Sequence, residues 1–261
     1  MITQKDILAD LHTHTIFSKH AYSTIQESIV AAQKMNLKYL AITDHIYNDG
    51  TEIERKNEGT RFKYFEEEVN SYREENQPYV ICGAEFNVAQ TIDQKNWKKL
   101  KKLRWRPIGL HTFHLKIKLL SLKTLYDEFE KAANAHNAFA HIEREIHDIE
   151  NKRYRDDPLH ENVKNFLEKM VELAKDKKIF LEVNEASLRR NKRGTEDRIR
   201  YWLPIAKEND CRIYLASDAQ YSSRIGKFPL SLELLNELKY PKELILNCNE
   251  DQILNDLEIK I

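Results

Sequence analysis

The chain has 261 residues, with 42 Lys+Arg balanced by 42 Asp+Glu, and that neutrality argues against whole-protein attraction to nucleic acid or an anionic membrane. Hydrophobic residues at 41% and charged residues at 32% suit a filled core with a solvated surface, at a length that fits one large α/β domain. Cys82, Cys211 and Cys248 are odd in number and far apart, which excludes a disulfide framework and reads as buried or neutral thiols of a cytoplasmic protein, none of them a nucleophile.

The first residues lack a signal-peptide layout, and no apolar run approaches membrane-spanning length. Ile7-Leu8-Ala9-Asp10-Leu11-His12-Thr13-His14 reads as a strand ending in two histidines at i and i+2. Side chains alternate along a strand, so His12 and His14 project to one side, as half of a metal site requires. The bland alternative is a polar strand end with two surface histidines. A loop over 16–22 precedes a helix signal, with Ser23/Gln26 or Thr24/Glu27 as capping box and Ile25, Ile29, Ala32 and Met35 at helical spacing. Tyr39-Leu40-Ala41-Ile42 is an apolar strand ending in Thr43-Asp44-His45. Residues 46–60 read as loop and 61–76 as a charged helix. A strand from Tyr79 runs through Gly83 and Ala84 to Glu85, and a helix around 93–103 follows. Pro107-Ile108-Gly109-Leu110 stops at His111, and after a helix at about 121–135, Ala138-Phe139-Ala140 stops at His141. A helix at about 158–176 precedes the strand 179–184, and one at about 195–209 precedes 211–216, which stops at Ser217-Asp218. The tail offers a helix near 230–239, an apolar run at 243–246 and a last helix near 250–257.

Buried strands alternating with amphipathic helices imply βα units and a parallel sheet. Seven strands precede the tail, close to the eight of a (β/α) barrel. His14, His45, Glu85, His111, His141 and Asp218 all lie just past the C-terminal end of a strand, which is the active-site face of such barrels. Imidazoles with carboxylates are ligands for a borderline metal. There are more of them than one tetrahedral ion needs, so a multi-metal cluster is the economical reading. In a two-metal site the ions clamp the attacking and leaving oxygens of a displacement at phosphorus, and a metal-bound water is the nucleophile. No Gly-x-Ser-x-Gly elbow and no Walker loop competes. The structural alternative is that these strand-end residues only cap helices or meet solvent.

Asp10-Leu11-His12-Thr13-His14-Thr15, then His20, Thr43-Asp44-His45, Glu85, His111, His141 and Ser217-Asp218 resemble the motif series of the PHP (polymerase and histidinol phosphatase) family, most closely its small stand-alone bacterial phosphoesterases. The resemblance implies a distorted (β/α)7 barrel, TIM-like, as a single domain over 1–261, with two to three divalent ions (zinc, manganese or iron). It implies that His12, His14, Glu85 and Asp218 hold one ion and form the catalytic centre. Glu85 would bridge to a second ion on His111 and His141, and a third would sit with His20 and His45. Asp10 and Asp44, each next to a ligand, are candidates for fixing a neighbouring imidazole's tautomer. The chain departs from the family pattern twice. Ser217-Asp218-Ala219-Gln220 stands where the family has Ser-Asp-x-His, so Gln220 offers the third ion an amide oxygen in place of an imidazole. After His141, where relatives often carry Pro-Gly, this chain has Ile142-Glu143-Arg144, which reshapes the substrate rim.

Leu188-Arg189-Arg190-Asn191-Lys192-Arg193-Gly194 follows the sixth strand on the same face. Arg189, Arg190 and Lys192 could grip a phosphate, with Asn184 a further pocket candidate; a solvated charge run is the competing reading. His114 rivals His111, while His136, His147 and His160 read as surface residues. The basic segment 95–106 reads as a helix packing Trp97, Leu100 and Leu103 on the barrel in preference to a nucleic-acid surface. The expectation is a metal-dependent hydrolase that cleaves a phosphate monoester of a small substrate with a metal-bound hydroxide. Its alternatives are a histidinol-phosphate phosphatase, a nuclease-type phosphodiesterase and, outside enzymes, a metal-binding regulatory protein. No membrane or nucleic-acid partner is expected, and a homo-oligomer is compatible with the sequence.

Overall fold

Apolar strands buried on both faces need helices to cover them, and all strand pairing here is parallel, as such burial favours. β1 (Ala9–Thr13), β2 (Tyr39–Ile42) and β3 (Tyr79–Cys82) form one sheet. β4 (Phe86–Asn87), β5 (Pro107–Gly109), β6 (Ala138–Phe139), β7 (Phe180–Asn184) and β8 (Ile213–Ala216) form a second. The computed structural model describes residues 1–18, 20–45, 67–72, 78–88, 103–111 and 121–259. The predicted loop 46–60, nearly all of the helices at 61–76 and 93–103, and His114 lie outside them, apart from a helical stretch at 67–71.

The two sheets meet at both edges. β3 is the start of the strand predicted from Tyr79 to Glu85, β4 takes up just beyond its end, and between them Gly83 bridges to Trp105. A Cβ on Gly83 would lie 2.8 Å from the Trp105 carbonyl oxygen, so the join needs glycine. At the other edge Asp218 N donates to His12 O and His14 N to Ala219 O, both at 2.9 Å. Lower on that seam Asn247 fills the gap, donating to Ala9 O and Leu215 O at 2.9 Å each and accepting from Leu215 N at 2.6 Å. With β3 and β4 counted together, the strands form the distorted (β/α) barrel that the motif resemblance implies.

The helices are α1 (Ile25–Lys34), α2 (Leu122–Ala132), α3 (Glu161–Lys177), α4 (Glu185–Arg190), α5 (Thr195–Glu208), α6 (Pro229–Glu237) and α7 (Glu250–Asp256). Of the two possible boxes at α1, Thr24 takes the cap: it accepts from Glu27 N at 3.2 Å while Glu27 accepts from Thr24 N at 2.8 Å, an arrangement that contributes about 1 kcal/mol. Ser23 accepts instead from Ser222 N.

Two apolar layers result. Leu40, Ile42, Val80, Leu181 and Leu215 pack outward against helix residues such as Ile29, Met170 and Trp202. Leu11, Tyr39, Ile81, Phe180 and Tyr214 fill the interior with Trp105, floored by Leu246, Ile253 and Leu257. Continuing each interior series by twos, as a strand requires, runs from Phe180 to Glu182 and Asn184, from Tyr214 to Asp218, and from Ala41 to His45. The apolar floor thus turns polar at the C-terminal rim. β1 carries one irregularity, a register shift against β2 between Asp10 and Thr13. It lets both Leu11 and His12 face inward, leaving Asp10 on the helix side, where Oδ2 accepts from Gly226 N at 2.8 Å.

Candidate metal centre

Glu85 is the hub of this rim. Backbone pairing of β2 with β3 continues past Ile42 and Cys82 to a bridge between His45 and Glu85, which sets the two residues side by side. Glu85 Oε1 lies 2.7 Å from His141 Nε2 and 3.1 Å from His111 Nε2. Oε2 has His12 Nε2, His45 Nδ1 and His14 Nε2 at 3.1, 3.2 and 3.4 Å. Asp218 Oδ1 is 3.2 Å from His14 Nε2, and His20 Nε2 is 3.3 Å from His45 Nε2. Among the described residues three overlapping sets that could hold an ion emerge: His12–His14–Asp218, His45–Glu85–His111 and His14–His20–His45. His45, expected with the third ion only, therefore also stands with Glu85 and His111. Gln220 Oε1 accepts from Arg190 Nη2 at 3.3 Å.

Local backbone delivers these side chains. His141 and Asp218 leave their strands with φ of 29° and 48°, left-handed values at which His and Asp are tolerated better than most residues. A Cβ on Gly109 would come 2.6 Å from His141 Cε1, so glycine makes room for that ring. Asn87, at the end of β4, holds His111 by its backbone, donating to His111 O and accepting from His111 N at 3.1 Å each.

Two residues central to the site were not singled out in the sequence. Glu182 Oε2 lies 2.9 Å from His12 Nδ1, and Glu182 also accepts from the Tyr214 hydroxyl and the Asn184 amide. A carboxylate can only accept, so Nδ1 carries a proton toward Glu182, and Nε2, which turns toward Glu85 and His14, is the nitrogen that would meet a metal. The signal was a lone carboxylate in an apolar strand, two residues before the strand-end Asn184. Arg144 is the other: it donates to Asp218 Oδ2, to Asn184 Oδ1 at 2.8 Å and to Ser187 Oγ at 3.0 Å. Its segment is pinned by buried Arg198 of α5, which donates to the carbonyls of Glu143, Tyr154 and Pro158.

Asp10 and Asp44 do not orient imidazoles directly. Asp10 binds backbone N–H groups of Ser217 and Gly226, because the shift in β1 turns it away from His12. Asp44 accepts from Thr15 N, Thr15 Oγ1 and Ser18 Oγ, and only Ser18 approaches His14 Nδ1, at 3.4 Å. The Asn184 amide is engaged by Arg144, Glu182 and Ser187 N, which it caps at 2.8 Å. Arg189, Arg190 and Lys192 are exposed. His147 is buried and His136 half-buried, with Nδ1 3.1 Å from Arg106 O, so neither is the surface residue expected. Buried Ile142, Ile146 and Ile149 draw the segment around His147 inward. His160 caps α3, accepting from Asn162 N at 3.1 Å.

The electrostatics separate the histidines. Burial opposes charge on His12, but Glu85 and Glu182 overcome it and hold its pKa well above the ordinary range. Burial and the neighbouring imidazoles depress His45 well below that range, and burial with His14 lowers His20 to about 4, leaving both in the neutral form that ligates metals. Against burial, His111, His12 and His45 hold the Glu85 carboxyl well below its usual range, and Arg144 with His14 does the same for Asp218. His12 Nε2 and His14 Nε2 are 3.1 Å apart, and buried Glu85 Oε2 makes no hydrogen bond to a described residue. Convergent imidazole nitrogens around an unsatisfied carboxylate oxygen fit a divalent cation with mixed N/O ligands.

A (β/α) barrel with a His/Glu/Asp centre at the C-terminal rim defines the class. A family model for the PHP domain matches residues 10–211, well over half of the chain, and the protein belongs to the PHP-domain family. Asp218 and Gln220 lie beyond the matched residues. A "Probable phosphatase" of Clostridium botulinum (strain Langeland) is 28% identical over 254 residues, covering 97% of this chain and 95% of the relative. "Probable phosphatase YcdX" of Escherichia coli O81 is 26% identical over 256 residues, covering 95% and 93%. Among solved structures, histidinol phosphate phosphatase from Lactococcus lactis, complexed with zinc, L-histidinol and phosphate, superposes with TM-score 0.58 at 14% identity, covering 89% of this chain and 94% of that one. An archaeal ribonuclease P with mature tRNA superposes with TM-score 0.54 at 15% identity, covering 96% and 90%. These likenesses show the fold, and one fold serves more than one substrate class.

Proposed function

We propose that this protein is a metal-dependent hydrolase of phosphate monoesters. The observation that carries it is the division of Glu85, one oxygen toward His111 and His141 and the other toward His12, His14 and His45, as a carboxylate shared between two ions requires. On this reading His12, His14, Asp218 and Glu85 hold one ion, and Glu85, His111 and His141 a second. His20 and His45, with Gln220 nearby, offer a third and weaker place. Zinc, manganese and iron all suit such ligands. When bound, the ions supply an ionisable water near neutral pH and positive charge for the phosphoryl group. The chain's own residues hold that chemistry in place: Glu182 sets the His12 tautomer, Asn87 and Gly109 seat His111 and His141, and Arg144 grips Asp218. Arg189, Arg190 and Lys192 add positive charge at the rim for a small phosphorylated substrate, the class that the names of the relatives support. Asn247 and α7 close the same barrel that β1 opens, which supports one domain over 1–261. Three free cysteines suit a cytoplasmic setting, and among the described residues no helix is long and apolar enough to cross a membrane.

The test is metal content of protein purified without chelator, with p-nitrophenyl phosphate hydrolysis before and after chelation. Two to three equivalents of metal, and turnover lost with chelator and restored by added metal, are expected. Bound metal without turnover on a broad phosphoester panel would favour the regulatory reading, and failure to bind metal under any reconstitution would overturn the centre itself.

A further inference from the structure

Arg144 occupies an unusual position for a cation, inside a centre built for cations. Asp218 divides its oxygens, Oδ1 toward His14 Nε2 at 3.2 Å and Oδ2 to Arg144 Nη2. The guanidinium is fixed on two edges, Nη2 by Asp218 and Asn184 and Nε by Ser187. Nη1 makes no hydrogen bond to a described residue, and the side chain stays 16% exposed while Asp218 is 2% exposed. A planar fork held at one side has no freedom to turn its remaining N–H groups away. Those groups are two donors beside Asp218, on a guanidinium that stays charged at any working pH.

A phosphate monoester dianion differs from a diester monoanion by one further non-bridging oxygen and one further negative charge. A positioned guanidinium edge recognises both differences, since charge-assisted N–H···O bonds are the stronger kind and come in pairs from arginine. The exposed cations of α4 and the following loop sit on side chains that solvent screens, whereas Arg144 is held by Asp218, Asn184 and Ser187 before substrate arrives. We propose that Arg144 selects monoesters over diesters, its Nη1 edge binding the phosphoryl oxygen that only a monoester leaves free. The proposal rests on phosphate-monoester hydrolysis at this centre and adds the residue that selects that substrate class.

The test compares metal-loaded wild type, Arg144→Ala and Arg144→Lys on p-nitrophenyl phosphate and bis(p-nitrophenyl) phosphate, with metal content and inorganic phosphate affinity measured on each. For Arg144→Ala, kcat/KM on the monoester should fall about 10²-fold, as for loss of one positioned donor, and the monoester-to-diester ratio should fall by at least ~30-fold with metal content retained. Phosphate affinity should weaken in parallel, and Arg144→Lys should recover part of both through its charge. Equal losses on the two esters, or loss of metal in both variants, would overturn the proposal and reduce Arg144 to a support for Asp218. Should wild type turn over neither ester, the hydrolase reading fails, and the phosphate titration still decides: unchanged affinity in Arg144→Ala removes the oxygen contact, and weakened affinity upholds it.

Discussion

On one wall of the centre, along β1, β7 and β8, candidate ligands are held by further residues: His12 by Glu182, itself held by Tyr214 and Asn184, and Asp218 by Arg144. On the other, in the loops after β1 and β2, His20 and His45 meet each other at 3.3 Å, and Gln220, reaching from the loop after β8 where the motif calls for an imidazole, turns its amide oxygen to Arg190. His45 is also placed through its backbone, its N donating to Ser18 Oγ at 3.1 Å. Ligands oriented beforehand lose less freedom on binding and hold metal more tightly. On the proposed reading the first wall would hold its ions more tightly and the second more loosely, which the following variants test.

Replacing Glu182 by Gln keeps the shape but removes the charge that fixes His12, and should weaken metal affinity by about 10–100-fold. His20→Ala, on the loose wall, should cost less than about 10-fold by the same scale. Competitive chelator titration of both variants decides it: a His20 effect equal to that of Glu182 would break the contrast between the walls. Gln220→His should strengthen the loose wall, raising bound metal by up to one equivalent in elemental analysis, and an unchanged ratio would show that the His20 side does not take an ion. A stability effect is expected at the far end of the barrel. His136 has its pKa lowered from 6.5 to about 4, chiefly by burial. Between those values the unfolded chain binds a proton that the folded chain refuses, so this contribution is whole above pH 6.5 and lost as pH falls toward 4. Melting curves of metal-stripped protein should show Gln in place of His136 flattening the acid side by about 1–3 kcal/mol, reduced from the full shift because the ring is partly exposed. A retained acid slope in that variant would assign it to the rim histidines.

Much of this was legible in order along the chain. The apolar runs ending in His14, His45, His111, His141 and Asp218 state where strands stop and which side chains stand at the rim, because strand length and alternation are local properties. Glu182 was hidden by its surroundings: in sequence it is one polar letter in an apolar run, and its meaning depends on Tyr214 and His12, which come from other strands. Arg144 was read as a change in the rim and proved to be a partner of Asp218, a contact no spacing rule connects.

The sequence by itself determined the alternation, the barrel class and the roster of candidate metal-ligating side chains, since each follows from periodicity, capping and residue chemistry within a few neighbours. Only the tertiary structure decided how that roster is shared. Closing the ring brought Glu85 among five imidazoles, the irregularity in β1 turned His12 inward and Asp10 outward, and positive φ at His141 and Asp218 aimed both into the centre. Those outcomes depend on register between strands far apart in the chain, and register is set by packing of the whole barrel.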